Sequence, residues 1–123
     1  MVGGNWKMHL RRADALALAQ SVSAGALTDR VDTVVFPPFV YLDAVSRALR
    51  DAGSRVAVGA QDVYHEPDGA FTGEISLGML QDLGVSACLV GHSERRHVIG
   101  ESDELLRRKT HAVLAAGLTC VLC

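Results

Sequence analysis

Ala87-Cys88-Leu89-Val90-Gly91-His92-Ser93-Glu94-Arg95-Arg96 is an unbroken apolar run that stops at a glycine and then delivers a histidine, a serine and a glutamate. The apolar part does not alternate, as expected of a parallel strand buried on both faces. The polar part reads as the start of a helical turn at the carboxyl end of that strand. Open doubly wound sheets and closed (β/α)8 barrels both place their chemistry there.

Working outward, four more apolar runs stand out: Met1 to Met8 (weakly), Thr33 to Phe36, Val56 to Val58 and Leu118 to Cys123. Amphipathic stretches lie between them. Ala13 to Ala24 is rich in Ala and Leu. Asp43 to Ala52 places Val45, Ala48, Leu49 and Ala52 on one helical face. Ser76 to Leu83 is shorter, with Ser76 as an N-cap. Ser102 caps a fourth stretch, whose apolar face includes Leu105, Leu106, Val113 and Ala116. Helical stretches end at Gly53, Gly84 and Gly117, each followed within a few residues by a Val- or Leu-rich strand. Each glycine suits the left-handed position that closes a helix. The pattern predicts one module over residues 1–123 of α/β class, with five parallel strands alternating with four helices, strand first and last. An open five-stranded sheet would be complete at this length, whereas a (β/α)8 barrel of about 250 residues would be half built.

Composition narrows the function classes. The 123 residues are 49% hydrophobic and 21% charged, and Lys+Arg 12 against Asp+Glu 14 gives a formal charge of −2. No basic surplus exists to attract nucleic acid or an anionic membrane. Arg11-Arg12, Arg95-Arg96 and Arg107-Arg108-Lys109 read as solvated helix faces. No apolar run reaches the roughly 20 residues that span a bilayer, and the start does not read as a signal peptide. Cys88, Cys120 and Cys123 lie in apolar runs and read as buried free thiols in a reducing cytoplasm. Cys120 and Cys123, three apart in a strand, point to opposite faces and make a poor metal or redox pair.

The first strand ends Gly3-Gly4-Asn5-Trp6-Lys7-Met8. Strand alternation would put Asn5 and Lys7 on one side and Trp6 on the other. An inward lysine is costly unless it is paired or meets an anion, and its compact cation suits a phosphate group. Asn5 can both donate and accept hydrogen bonds. His92, at the start of a helical turn, meets the positive end of a dipole that favours the neutral imidazole, able to donate to a polarising carbonyl. Glu94 could pair with Lys7 or with an arginine. His9, His65, His97 and His111 have no metal-ligand spacing, and the glycines match neither a P-loop nor a dinucleotide fingerprint.

With these residues in order, the sequence closely resembles the triosephosphate isomerases. Asn5-Trp6-Lys7-Met8 is similar to that family's first-strand motif, and Gly91-His92-Ser93-Glu94-Arg95-Arg96 to its fourth. Phe36-Pro37-Pro38, Gly59-Ala60-Gln61-Asp62, Gly69-Ala70-Phe71-Thr72-Gly73-Glu74-Ile75-Ser76 and Gly100-Glu101-Ser102-Asp103-Glu104 match family segments in sequence order. The resemblance covers essentially the whole chain. It implies a partial barrel of TIM type, with Asn5 and Lys7 holding substrate and Lys7 countering its phosphate and developing negative charge. It implies that His92 is the electrophile moving protons between the two oxygens of an enediolate, a role for which this family is itself the reference case. Glu94 would support the site through Lys7, and Ser93 would lie near the catalytic base.

The loop carrying Thr72 would insert into a neighbouring subunit, which implies a homodimer for a complete enzyme. A small phosphosugar substrate, no cofactor or metal, and a cytoplasmic location follow from the same resemblance. The match stops at Cys123 in the fifth strand, before the family's catalytic glutamate, its lid and its later phosphate loops. Neither Glu74 nor Glu101 takes the role of that base. The expectation is therefore an isomerase half-barrel, inactive or nearly so alone and completed by a C-terminal half. The alternative is a non-catalytic half-barrel that folds or self-assembles. With an opened barrel, unpaired edges at the first and fifth strands and an uncovered apolar interior are expected to drive self-association.

Overall fold

The computed structural model describes residues 1–26 and 30–123. Five strands, β1 (Val2–Asn5), β2 (Thr33–Phe36), β3 (Ala57–Ala60), β4 (Ala87–Val90) and β5 (Thr119–Leu122), form one sheet in chain order, with every neighbouring pair parallel. Four helices alternate with them: α1 (Arg12–Gly25), α2 (Phe39–Asp51), α3 (Leu77–Asp82) and α4 (Asp103–Ala115). A π-helical turn, Arg95–Ile99, lies between β4 and α4. A curled half-barrel of TIM type results, and the open doubly wound sheet is set aside.

Local sequence chemistry accounts for most boundaries. Ser76 and Ser102 accept the backbone N–H groups of Met79 and Leu105, capping α3 and α4 as their sequences imply. Gly53, Gly84 and Gly117 close α2, α3 and α4 at φ of 60°, 76° and 73°. α2 begins four residues earlier than its apolar stripe suggests, immediately after Pro38, whose carbonyl accepts the Tyr41 N–H. Proline needs no N–H partner at a helix start, so the diproline sets the boundary.

The two sheet faces carry separate cores. Val35, Val58, Ala60, Cys88 and Val90 pack under the helices against Ala15, Ala19, Leu42, Val45, Leu80 and Val113. On the inner face Val34, Phe36, Ala87 and Leu89 pack together, with Ala57 and Val121 against them. Phe36 occupies the space opened by two glycines. A Cβ on Gly3 would lie 3.1 Å from the ring, and one on Gly59 would overlap it.

Three expectations are corrected here. The apolar interior is not uncovered, because Val34, Phe36, Ala87 and Leu89 are each no more than 5% exposed. The curled sheet fills its own inner face, and exposure concentrates on the edge strands, as at Val2 and Leu122. The cysteines are all free, but Cys88 alone is buried. Cys120 is half-buried and Cys123 exposed, since β5 is an edge strand with no neighbour beyond it. The basic clusters are not uniformly solvated. Lys109 is buried and Arg95 and Arg96 half-buried: Lys109 and Arg95 meet carboxylates, and Arg96 donates to the Gly91 and Cys123 carbonyls and to Asp103.

Candidate active site

Strand β1 stops at Asn5, and the chain then turns sharply. Trp6 donates its N–H to the Phe36 carbonyl at 3.1 Å. Lys7 adopts φ 54°, the left-handed region that non-glycine residues seldom occupy. Its N–H donates to Asn5 Oδ1 at 2.9 Å. Asn5 and Lys7 do share one cleft, but a side-chain-held turn brings them together rather than continued strand alternation.

At the end of β4, Gly91 takes φ 71° and the chain enters the π-helical turn, where the His92 carbonyl accepts the N–H groups of both Arg95 and Arg96. Such turns favour functional sites because they re-aim side chains within a helix. Across the sheet opening, Lys7 Nζ meets Glu94 Oε1 at 2.7 Å. Of the partners open to Glu94, lysine is the one it takes. That hydrogen bond holds the Glu94 carboxyl below the usual glutamate range.

His92 Nδ1 lies 3.3 Å from both the Glu94 N–H and Glu94 Oε2. The two contacts need different hydrogens. Lys7 already engages the carboxylate, whereas the backbone N–H is a fixed donor that needs an acceptor. We therefore assign Nδ1 as acceptor, which leaves the ring hydrogen on Nε2.

Asn5, Lys7, Gln61, His92, Glu94 and Arg95 line a cleft of about 240 Å³ at the carboxyl ends of β1, β3 and β4. Two expected site residues lie outside it. Ser93 is exposed two residues ahead of the π-helical turn, and Thr72 is exposed on the loop closed by the Tyr64 N–H to Ile75 carbonyl bond.

Behind the cleft stands a set of charges that sequence reasoning missed. Lys109 Nζ donates to Asp62 Oδ1 at 2.7 Å and to Glu101 Oε1 at 2.5 Å. Arg95 reaches both carboxylates at 2.8 Å. Two cations and two anions thus balance in a half-buried to buried cluster. Burial pushes the Asp62 carboxyl up, against its hydrogen bond from Lys109. Burial also pushes Glu101 up, but hydrogen bonds from Arg95 and Lys109 outweigh it and hold it below the usual range. A signal for Lys109 existed: it falls on the helical face of Leu106 and Val113, an apolar stripe where a lysine needs partners. Gln61 was legible too, since it follows an apolar strand as His92 does.

Comparison with known proteins identifies the family. The family model for triosephosphate isomerase matches residues 1–123. The triosephosphate isomerase of Herpetosiphon aurantiacus is 46% identical over 125 residues, covering 100% of this chain and 49% of the relative. That of Treponema pallidum (strain Nichols) is 48% identical over 122 residues, covering 99% and 48%. That of Nitratidesulfovibrio vulgaris is 49% identical over 126 residues, covering 100% and 50%. The chain spans about half the length of the curated relatives it matches. With strand-end residues gathered in one cleft and a family match along its whole length, this chain belongs to the triosephosphate isomerase family.

Proposed function

We propose that the cleft is the substrate half of an aldose–ketose isomerase site, interconverting dihydroxyacetone phosphate and D-glyceraldehyde 3-phosphate as in glycolysis and gluconeogenesis. The observation that carries the reading is the Lys7–Glu94–His92 constellation at the strand ends. Lys7 anchors the anionic substrate and offsets negative charge as it develops. Asn5, its Oδ1 engaged by Lys7, offers its amide hydrogens to substrate oxygens. His92, with Nδ1 accepting from the backbone, presents Nε2–H to the substrate carbonyl. It donates that proton as the enediolate forms and takes back the proton of the neighbouring hydroxyl. Glu94 holds the ammonium in place. Ser93 stands near where the base would approach.

Abstraction of the carbon-bound proton needs a further carboxylate. Glu94 is the carboxylate lining the cleft among the described residues, and Lys7 occupies it. The base in this reading comes from a C-terminal half outside these 123 residues, so this chain alone is inactive or nearly so. The loop with Thr72, exposed at its tip, supports docking of a second copy, and the free cysteines fit a cytoplasmic location. No helix among the described residues is long and apolar enough to cross a membrane.

A coupled isomerase assay, with and without the C-terminal half of a family relative, tests the reading. Turnover is expected only on complementation, falling about 10²-fold or more in His92→Gln, as for loss of a general acid, and also falling in Lys7→Met. Undiminished turnover in His92→Gln would sink the assignment, and whole-enzyme rates from this chain alone would sink the missing base. The second reading, a non-catalytic half-barrel, draws on the inner face filled by Phe36 and Leu89. Absence of turnover on complementation, with the fold intact, would favour it.

A further inference from the structure

Side chains hold both main-chain polar groups of Lys7. Its N–H donates to Asn5 Oδ1, and its carbonyl accepts from Gln61 Nε2 at 2.9 Å. The same Nε2 donates to the Phe36 carbonyl at 2.8 Å, the oxygen that also receives the Trp6 N–H. An amide nitrogen between two carbonyl oxygens uses both of its hydrogens. The flipped amide would set Oε1 against two acceptors, so chemistry fixes the orientation.

A lysine in the left-handed region is strained and persists where its surroundings over-determine it. The Asn5 contact is local and would survive other conformations of the turn. Gln61 differs, because it follows β3, which is separated from β1 by β2. Its bonds to Lys7 and Phe36 tie the turn to three strands at once.

We propose that Gln61 is a positioning residue for Lys7: its amide, bridging the Lys7 and Phe36 carbonyls, locks the left-handed turn that sets the Lys7 ammonium against Glu94 in the cleft. The benefit to substrate rests on the function proposed above, whereas the positioning itself does not. Gln61 acts through backbone, and the substrate-facing charge belongs to Lys7.

Glu94 reports where Lys7 stands, since the Lys7 hydrogen bond depresses its carboxyl. The test is a carboxyl ¹³C NMR titration of Glu94 in the full chain. Variants are Gln61→Met, Gln61→Asn (which keeps the amide one methylene short) and Lys7→Met as benchmark. Both Gln61 variants are expected to raise the Glu94 midpoint by more than half the rise in Lys7→Met. His92 and His9, the other groups that act on Glu94, stay in place throughout. A wild-type midpoint in either Gln61 variant with native Trp6 near-UV dichroism would overturn the proposal, as would Lys7→Met leaving the midpoint unmoved. Because the titration needs no turnover, failure of the isomerase reading would show separately, in the complementation assay.

Discussion

Lys109 Nζ lies 2.7 Å from Asp62 Oδ1, a contact between the middle of α4 and the end of β3 in which the lysine is only 2% exposed. Removing one member of such a cluster leaves an uncompensated buried charge. Lys109→Met is expected to destabilise the fold by about 3–5 kcal/mol at neutral pH, read by urea unfolding. The sign with pH follows from Asp62, whose folded-state carboxyl burial already raises. Without Lys109 it rises further, so the penalty is largest at high pH and shrinks as acid protonates the carboxylate. A penalty independent of pH would show that Asp62 does not bear the lost charge.

Glu104 also loses its contribution in acid, but through a carboxyl that its partners lower rather than one that burial raises. Hydrogen bonds from Arg107 and then Arg108 hold its carboxyl at about 2, below the ordinary 4.5. A lowered folded-state value contributes stability that is full above the unfolded value and is lost as pH falls through the folded one. Glu104→Gln is expected to lower the urea midpoint at pH 7, with the difference from the parent fading between about 4.5 and about 2. Added salt should shrink the effect, since the pairs are exposed.

The inner core has a tight point at Gly59, where a methyl group would overlap the Phe36 ring. Phe36 is 1% exposed and has no room to retreat. Gly59→Ala is expected to cost about 1–3 kcal/mol through overpacking. Phe36→Leu in the same chain should recover part of that, so the double variant costs less than the sum of the singles. Strict additivity in the unfolding free energies would exclude the proposed clash.

Thiol chemistry separates the three cysteines. An aromatic disulfide reagent needs access and a thiolate. Cys123 is exposed, Cys120 is half-buried with its thiol pushed up by burial, and Cys88 is buried with its thiol pushed up further. Labelling followed by mass spectrometry is expected to modify Cys123 first and Cys120 slowly, with Cys88 reacting only on unfolding. Early modification of Cys88 would mean that the helix layer opens readily over β4.

Much of this molecule is legible in its sequence, for identifiable reasons. Thr33–Phe36 and Ala87–Val90 are strands at the positions their unbroken apolar runs mark. Serine caps and closing glycines announce themselves because few residues suit those conformations. The cleft is legible at Asn5, Lys7, His92 and Glu94 because polar residues at strand ends are conspicuous. What escapes is non-local. Lys109 stands in a basic triplet, and its partner Asp62 is 47 residues away. The Lys7 turn escapes because strand alternation says nothing of a residue beyond the last ladder bond. The exposure of β5 follows from its place at the sheet edge, which local pattern does not encode.

The left-handed Lys7 has one consequence in the order of assembly. Its carbonyl is fastened by a residue 54 positions later, and the same amide grips Phe36 in the strand between. A chain with only its first strand formed keeps the local Asn5 contact but has nothing to hold the Lys7 carbonyl, and Lys7 would relax to ordinary backbone geometry. The ammonium takes its post only when three strands have met, so the cleft does not exist as a local peptide property.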